Sequence, residues 1–336
     1  MPRADRPVIA CVGAGRMGRG IAHCFAYAGF DVHLLDVKPR DPAVRETYFK
    51  AASEEVRNSL EMIAGLGGFD PAAVDAIMAR VFLFSDNRAE AALGPARYVF
   101  EAVPETDPAK KAALGLIDSL ASPEAVIAST TSTYLSTQLS EWSGRSRSFL
   151  NAHWLNPAFL VPLVEISPTE ETDPSVTGAM CDLLESIGKV PVVCKASPGY
   201  IVPRIQALAM NEAARLVEEG VASPEDIDKA VKYGFGFRFA VLGLLEFIDW
   251  GGGDILYHAS RYLSEAIRDE RFAAPDIVRQ NMAESRIGLR DGRGFYDYED
   301  VDVGAYRRER MKAFLEMLVR SGMHRAPADG GGVPGS

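Results

Sequence analysis

Two groups of residues in this chain have types and spacings that could do chemistry. The first is Gly13-Ala14-Gly15-Arg16-Met17-Gly18, which directly follows the apolar run Val8-Ile9-Ala10-Cys11-Val12 and opens the helical pattern Ile21-Ala22-His23-Cys24-Phe25-Ala26. A glycine-rich turn between strand and helix can cradle a pyrophosphate. The first glycine permits the tight turn, the second lets phosphate oxygens approach backbone N–H groups, and the third lets helix pack on strand. Gly13, Gly15, Arg16, Met17 and Gly18 are therefore candidate cofactor contacts. A second strand pattern, Val32-His33-Leu34-Leu35-Asp36, ends in an acid 18 residues beyond Gly18, where a carboxylate can accept hydrogen bonds from the adenosine ribose hydroxyls. An acid there repels a 2′-phosphate, so NAD is favoured over NADP. The competing account is a glycine turn beside a solvent-facing aspartate.

The second group is His153, closing Phe149-Leu150-Asn151-Ala152-His153, and Glu165, twelve residues further on within Val161-Pro162-Leu163-Val164-Glu165-Ile166. A carboxylate between Val164 and Ile166 on a strand is costly to bury unpaired, and His153 is an available partner. By accepting one imidazole N–H it would fix the tautomer, leave the other nitrogen as a base, and favour the imidazolium formed on proton uptake. By spacing alone, a satisfied core histidine and an edge-strand glutamate remain the plainer account. The five histidines have no H-x-x-x-H spacing, and the four cysteines (Cys11, Cys24, Cys181, Cys194) include no C-x-x-C pair. Neither a metal site nor a disulfide framework is expected, and a reducing cytoplasm fits best.

These residues need a rigid scaffold, and the pattern around them supplies one. From Val8 to about Cys194, apolar runs near 8–12, 32–36, 81–84, 98–102, 125–128, 148–152, 163–166 and 190–194 alternate with helical stretches. That predicts an α/β fold with a Rossmann-type, doubly wound, mainly parallel sheet. Asp41-Pro42, Asp70-Pro71, Asp107-Pro108 and Asp173-Pro174 each read as a capping carboxylate before a proline at the first helical position. A helix pair is inserted at about 41–80. Its first member carries the stripe Val44, Tyr48, Ala52, Val56, Leu60 and Ile63 and ends at Gly65. After Lys195-Ala196-Ser197-Pro198-Gly199, helical patterns at about 200–219, 224–232, 239–250, 254–268 and 303–320 predict an all-α C-terminal domain. The expected partition is an NAD-binding domain over 1–196, a helical substrate and dimerisation domain over 197–325, and a disordered tail over 326–336.

Composition narrows the function classes. The 336 residues are 47% hydrophobic and 24% charged, with a net charge of −10 and no basic stripe, which argues against a nucleic-acid partner. The longest apolar run, 239–245, falls well short of the roughly 18 residues of a membrane span. The aromatic stretches at 239–250 and 255–262, with Leu244, Leu245, Phe247 and Ile248, are long for a small helical domain to bury alone and predict a homodimer.

The chain resembles the 3-hydroxyacyl-CoA dehydrogenase family. The match runs through Gly13 to Gly18, Glu101-Ala102-Val103-Pro104-Glu105 with Lys110, Ser129-Thr130-Thr131-Ser132, His153-Trp154-Leu155-Asn156-Pro157, Leu163-Val164-Glu165, Ser197-Pro198-Gly199-Tyr200-Ile201-Val202 and Gly294-Phe295-Tyr296. The resemblance implies that His153 is the general base toward a substrate 3-hydroxyl and that Glu165 orients it. It implies that Ser132 and Asn156 hydrogen-bond substrate oxygen or cofactor, that Glu105 and Lys110 line the nicotinamide-ribose side, and that Arg290 contacts the cofactor. From sequence alone, a solvated helix start is the simpler reading of Glu105 and Lys110.

Two departures bear on substrate. Pro203 stands where the family usually has Asn. The first inserted helix region, lysine-rich in CoA-using relatives, here carries Arg40, Arg45, Lys50 and Arg57 against Asp41, Glu46, Glu54, Glu55, Glu61 and Asp70, a net of −2. The segment from Tyr233 to Gly243 looks more like the gulonate and carnitine dehydrogenase branch, in which an arginine occupies the place of Arg238 and can clamp a carboxylate. Neutralising a helix end or pairing with Glu246 accounts for Arg238 equally well. The expected activity is NAD-dependent oxidation of the 3-hydroxyl of a 3-hydroxyacyl-CoA such as 3-hydroxybutyryl-CoA, placing the chain in fatty acid metabolism. The alternatives are a dehydrogenase of a small free 3-hydroxy acid and a non-catalytic NAD-binding protein like the lens crystallin of this fold. The expected partner is a small hydroxyacyl substrate, with neither nucleic acid nor membrane.

Overall fold

The computed structural model describes residues 6–325 and 327, so the tail expected from 326 onward lies outside the described residues apart from Pro327. By contact density the chain divides into two compact units between Met210 and Asn211, within the helix Val202–Glu218.

The first unit is built on eight strands: β1 (Val8–Val12), β2 (Val32–Asp36), β3 (Val81–Ser85), β4 (Ala96–Glu101), β5 (Val126–Ser129), β6 (Phe149–Trp154), β7 (Leu163–Pro168) and β8 (Val190–Val193). They form one sheet in the order β3-β2-β1-β4-β5-β6-β7-β8. All neighbouring pairs are parallel except β6 and β7, which run antiparallel. This is the doubly wound, mainly parallel sheet anticipated from the alternation of apolar runs and helices. The chain reverses its winding direction between β1 and β4, and in open α/β sheets the crevice beyond the carboxyl ends of such strands is where ligands bind.

Each face of the sheet carries its own core. On one, Phe25, Phe100 and Trp154 pack with residues of the helices Arg16–Tyr27, Pro42–Gly65 and Pro174–Ser186. On the other, Val12, Val99, Ile127 and Phe149 meet Leu93, Leu114, Ile117 and Leu139. Burial on both faces explains why the inner strands read as continuous apolar runs rather than alternating ones; the edge strands β3 and β8 are only partly buried.

Along the Pro42–Gly65 helix, Ala52, Val56, Leu60 and Ala64 are buried and Tyr48 packs against them. Val44, read as part of that stripe, is 53% exposed, because it lies in the first turn before the helix meets the sheet layer. The capping reading holds for Asp41, Asp70 and Asp173, whose side chains accept from Ala43, Ala72 and Ser175 N–H. It fails for Asp107. That residue is already helical, preceded by Thr106 at the cap, and its carboxylate accepts instead from the Tyr134 hydroxyl at 2.7 Å.

The second unit is helical. The helix Pro224–Ala230 continues as a π-helical stretch, Val231–Gly236, and a short helix, Phe237–Phe239. A single helix over 239–250 does not form: Gly243 caps a separate helix, Leu244–Gly251, where the Glu246 carboxylate accepts from its N–H. The helices Gly253–Ile267, Asp276–Ala283 and Val303–Arg320 follow. Asp249 is the polar anchor of this unit. Its buried carboxylate accepts from Phe295 and Tyr296 N–H, both at 2.9 Å, and from the Tyr298 hydroxyl. A Cβ on Gly294 would lie 2.1 Å from Asp249 Oδ1, so the glycine of Gly294-Phe295-Tyr296 is what lets the loop close over the acid.

Among the described residues, no helix is long and apolar enough to cross a membrane.

Candidate active site

The strand ends deliver the functional side chains to one edge of the sheet. The glycine loop leaves β1 with Gly13 at φ +112°, where a Cβ would sit 2.5 Å from Ala102 O. A Cβ on Gly18 would sit 2.0 Å from Gly13 O, whereas one on Gly15 would meet nothing within 4 Å. The outer glycines thus permit the turn and the helix packing, and the middle one keeps a space clear. The helix that begins at Arg16 has no side-chain cap, so its first N–H groups are available to an anion. These features fit the pyrophosphate of a dinucleotide. Asp36 ends β2 with 4% of its surface exposed.

Next to the loop, the register aligns Glu101, Ser129, Asn151 and Ser167 on adjacent strands, all of them buried. Glu101 accepts from Val103 N–H (2.9 Å), from Ser129 Oγ (2.5 Å) and, through both oxygens, from Lys110 Nζ at 3.2 and 3.0 Å. Lys110 is 1% exposed, so the solvated helix start does not hold for it; the helix Asp107–Leu120 turns this side chain down onto the sheet. Its ammonium also lies 3.6 Å from Glu105, which accepts from Thr131 Oγ1, Thr133 Oγ1 and the backbone N–H of Ser132. Glu105 therefore organises the turn after β5, and Ser132 is exposed on that turn.

His153 and Glu165 are opposite residues on the antiparallel pair β6 and β7, and His153 Nδ1 lies 2.8 Å from Glu165 Oε2. Both are buried. An ionised carboxylate only accepts, so in the neutral imidazole this contact would put the proton on Nδ1 and leave the lone pair on Nε2. The other Glu165 oxygen accepts from Ile201 and Val202 N–H at 2.9 and 2.8 Å, at the start of the helix Val202–Glu218. Pro203 falls in the first turn of that helix, where a missing N–H costs nothing.

Tyr200, at φ +46°, stacks on the His153 ring with centroids 4.7 Å apart and planes 9° apart. Its hydroxyl donates to Thr131 O and accepts from Asn151 Nδ2, both at 2.9 Å. Burial pushes this phenol well up, so it stays a neutral donor. Tyr200 thus links His153 to the turn that carries Ser132. Asn156 is exposed three residues beyond His153. Sequence reasoning assigned no part to Glu101, Ser129, Asn151 or Tyr200; the only signal was that three of them fall inside the matched stretches.

Two predicted residues lie in the second unit. Arg290 is exposed and paired with Asp254 at 3.3 Å and Asp291 at 3.6 Å. Arg238 lies over the Phe247 ring and has no carboxylate partner among the described residues. Glu246, one candidate partner, is held instead by the Tyr306 hydroxyl and Arg310 Nε.

A glycine loop that fits a pyrophosphate, an acid ending β2 and a buried His–Glu pair on a doubly wound sheet are features of an NAD-dependent oxidoreductase acting on a CH–OH group. The NAD-binding domain of 3-hydroxyacyl-CoA dehydrogenase matches residues 8–197 and its C-terminal domain residues 199–298, so the chain belongs to the 3-hydroxyacyl-CoA dehydrogenase family. Among similar proteins is the 5-formyl-3-hydroxy-2-methylpyridine 4-carboxylate 5-dehydrogenase of Mesorhizobium japonicum, 31% identical over 91% of this chain and 96% of that protein. A probable 3-hydroxybutyryl-CoA dehydrogenase of Deinococcus radiodurans is 30% identical over 85% and 98%. The crystal structure of a 3-hydroxyacyl-CoA dehydrogenase from Archaeoglobus fulgidus superposes with a TM-score of 0.74 at 28% identity, covering 95% of this chain and all of that one.

Proposed function

We propose that the protein oxidises the 3-hydroxyl of a 3-hydroxyacyl-CoA, such as 3-hydroxybutyryl-CoA, to the ketone. The observation that carries this reading is the buried pairing of His153 Nδ1 with Glu165, which leaves Nε2 as a base. NAD, which the Gly13–Gly18 loop and Asp36 would hold, would supply the hydride acceptor, and His153 Nε2 would take the hydroxyl proton. Glu165 holds the ring by one oxygen and is itself held by two backbone N–H groups, so the base is oriented before substrate arrives. Ser132 and Asn156 hydrogen-bond the reacting oxygen. Glu105, steadied by Lys110, keeps Ser132 in place. In this reading residues 1–196 are the NAD-binding domain and 197–325 the helical substrate and dimerisation domain.

A second reading is favoured by Arg238, whose guanidinium lacks a carboxylate, and by the net charge of −2 on the inserted helix region, which offers CoA phosphates little attraction. In it the substrate is a small free 3-hydroxy acid; a relative similar over nearly its whole length is named for a pyridine carboxylate. Arg238→Met separates the two. If Arg238 holds a carboxylate, kcat/KM on a free 3-hydroxy acid falls about 10–150-fold, the worth of a charge-assisted bidentate contact. If the substrate is a CoA thioester, the variant keeps its turnover of acetoacetyl-CoA.

The exposed apolar residues of the helical unit, among them Tyr233 (61%), Ile255 (63%), Tyr262 (69%) and Met311 (59%), support a homodimer in which this surface is shared. Light scattering at micromolar concentration should give twice the chain mass of 36.4 kDa, and a monomer would refute the assignment.

A further inference from the structure

Asp36 does not face the nucleotide site alone. Arg40 Nε donates to its Oδ2, and Arg40 Nη2 and the backbone N–H of Lys38 each lie 3.4 Å from its Oδ1. The guanidinium rests 3.9 Å above the Tyr48 ring, and the Tyr48 hydroxyl donates to Ala14 O inside the glycine loop at 2.8 Å. The carbonyl of Arg40 accepts from Arg45 Nη2 at 3.2 Å, and the same nitrogen reaches Asp86 at 3.1 Å. Arg40 is thus braced on an aromatic ring, on a neighbouring arginine and on the acid that would read the ribose. Tyr48 is the second side chain that engages the guanidinium.

A guanidinium fixed at this position matches the geometry of a phosphate monoester as well as that of a carboxylate. We infer that Arg40 is a latent binding group for a 2′-phosphorylated adenosine, and that Asp36 masks it. The acid then acts twice on cofactor choice. It repels a 2′-phosphate directly, and it occupies a cation that could otherwise receive one. The inference rests on the dinucleotide site and is independent of the substrate.

The test is a double-mutant cycle read by calorimetric binding of 2′,5′-ADP, with 5′-ADP for comparison and NADH fluorescence as the check on the site itself. Asp36→Ser should bind 2′,5′-ADP about 10–100-fold more tightly than the parent. Adding Arg40→Met should abolish that gain, and Arg40→Met alone should produce none. Asp36→Asn, which preserves shape, serves if the serine variant does not fold. An equal gain in Asp36→Ser with and without Arg40 would show relief of repulsion alone and overturn the masking. No gain in a folded variant that still binds 5′-ADP would overturn it as well, as would a parent protein that already binds both probes equally. A parent that fails to bind NADH would instead bring down the dinucleotide site itself.

Discussion

His153→Ala or His153→Gln lowers kcat by about 10²–10⁴, the usual worth of a general base, while NADH affinity stays near that of the parent. The two readouts separate because His153 sits at the end of β6, whereas the phosphate cradle sits between β1 and the helix Arg16–Tyr27. Glu165→Gln replaces the carboxylate that fixes the imidazole with a neutral amide, which also faces the part-buried N–H donors of Ile201 and Val202. Its effect on turnover passes through the same ring, so the double variant should lose scarcely more than His153→Ala does. Additive losses would mean that the two residues do not act as a unit, and an unchanged kcat in His153→Gln would remove the base assignment altogether.

The second large effect is on stability. Lys110→Met should destabilise the protein by about 3–5 kcal/mol, because it strips the counter-charge from a wholly buried carboxylate. Glu101 would keep only the Ser129 hydroxyl and the Val103 N–H. Combining Lys110→Met with Glu101→Gln removes the orphaned charge and should recover much of the loss, since replacing both members of a buried pair is far milder than replacing one. Denaturant midpoints of the two variants decide the matter. If the double variant unfolds as early as the single one, Lys110 contributes packing rather than charge compensation.

Much of this architecture is legible in the residues. All eight strands could be placed because a sheet covered on both faces needs uninterrupted apolar runs, and such runs stand out between capped helices. The helix Asp276–Ala283 was not placed because it spans only eight residues, little more than two turns, and buries just Val278 and Asn281. For the dyad, a separation of twelve residues leaves open whether two strands pair, in which direction and in what register; the antiparallel pairing that sets His153 opposite Glu165 exists only once β7 turns back. Lys110 illustrates the same limit. On paper it is one more lysine near a helix start, and only the crossing of helix over sheet decides that it points inward onto Glu101. Asp249 lies 46 residues from Phe295, a closure that no local pattern records.

The double engagement of Glu165 ties its pairing with His153 to a folding equilibrium. The oxygen opposite the one facing His153 is the acceptor for the first two amides at the start of the helix Val202–Glu218. Fraying of that turn strips Glu165 of these two partners, so a population in which the turn is open holds the carboxylate facing His153 less firmly. The amide protons of Ile201 and Val202 consequently serve as reporters: their exchange with solvent deuterium counts how often that turn opens in the resting protein.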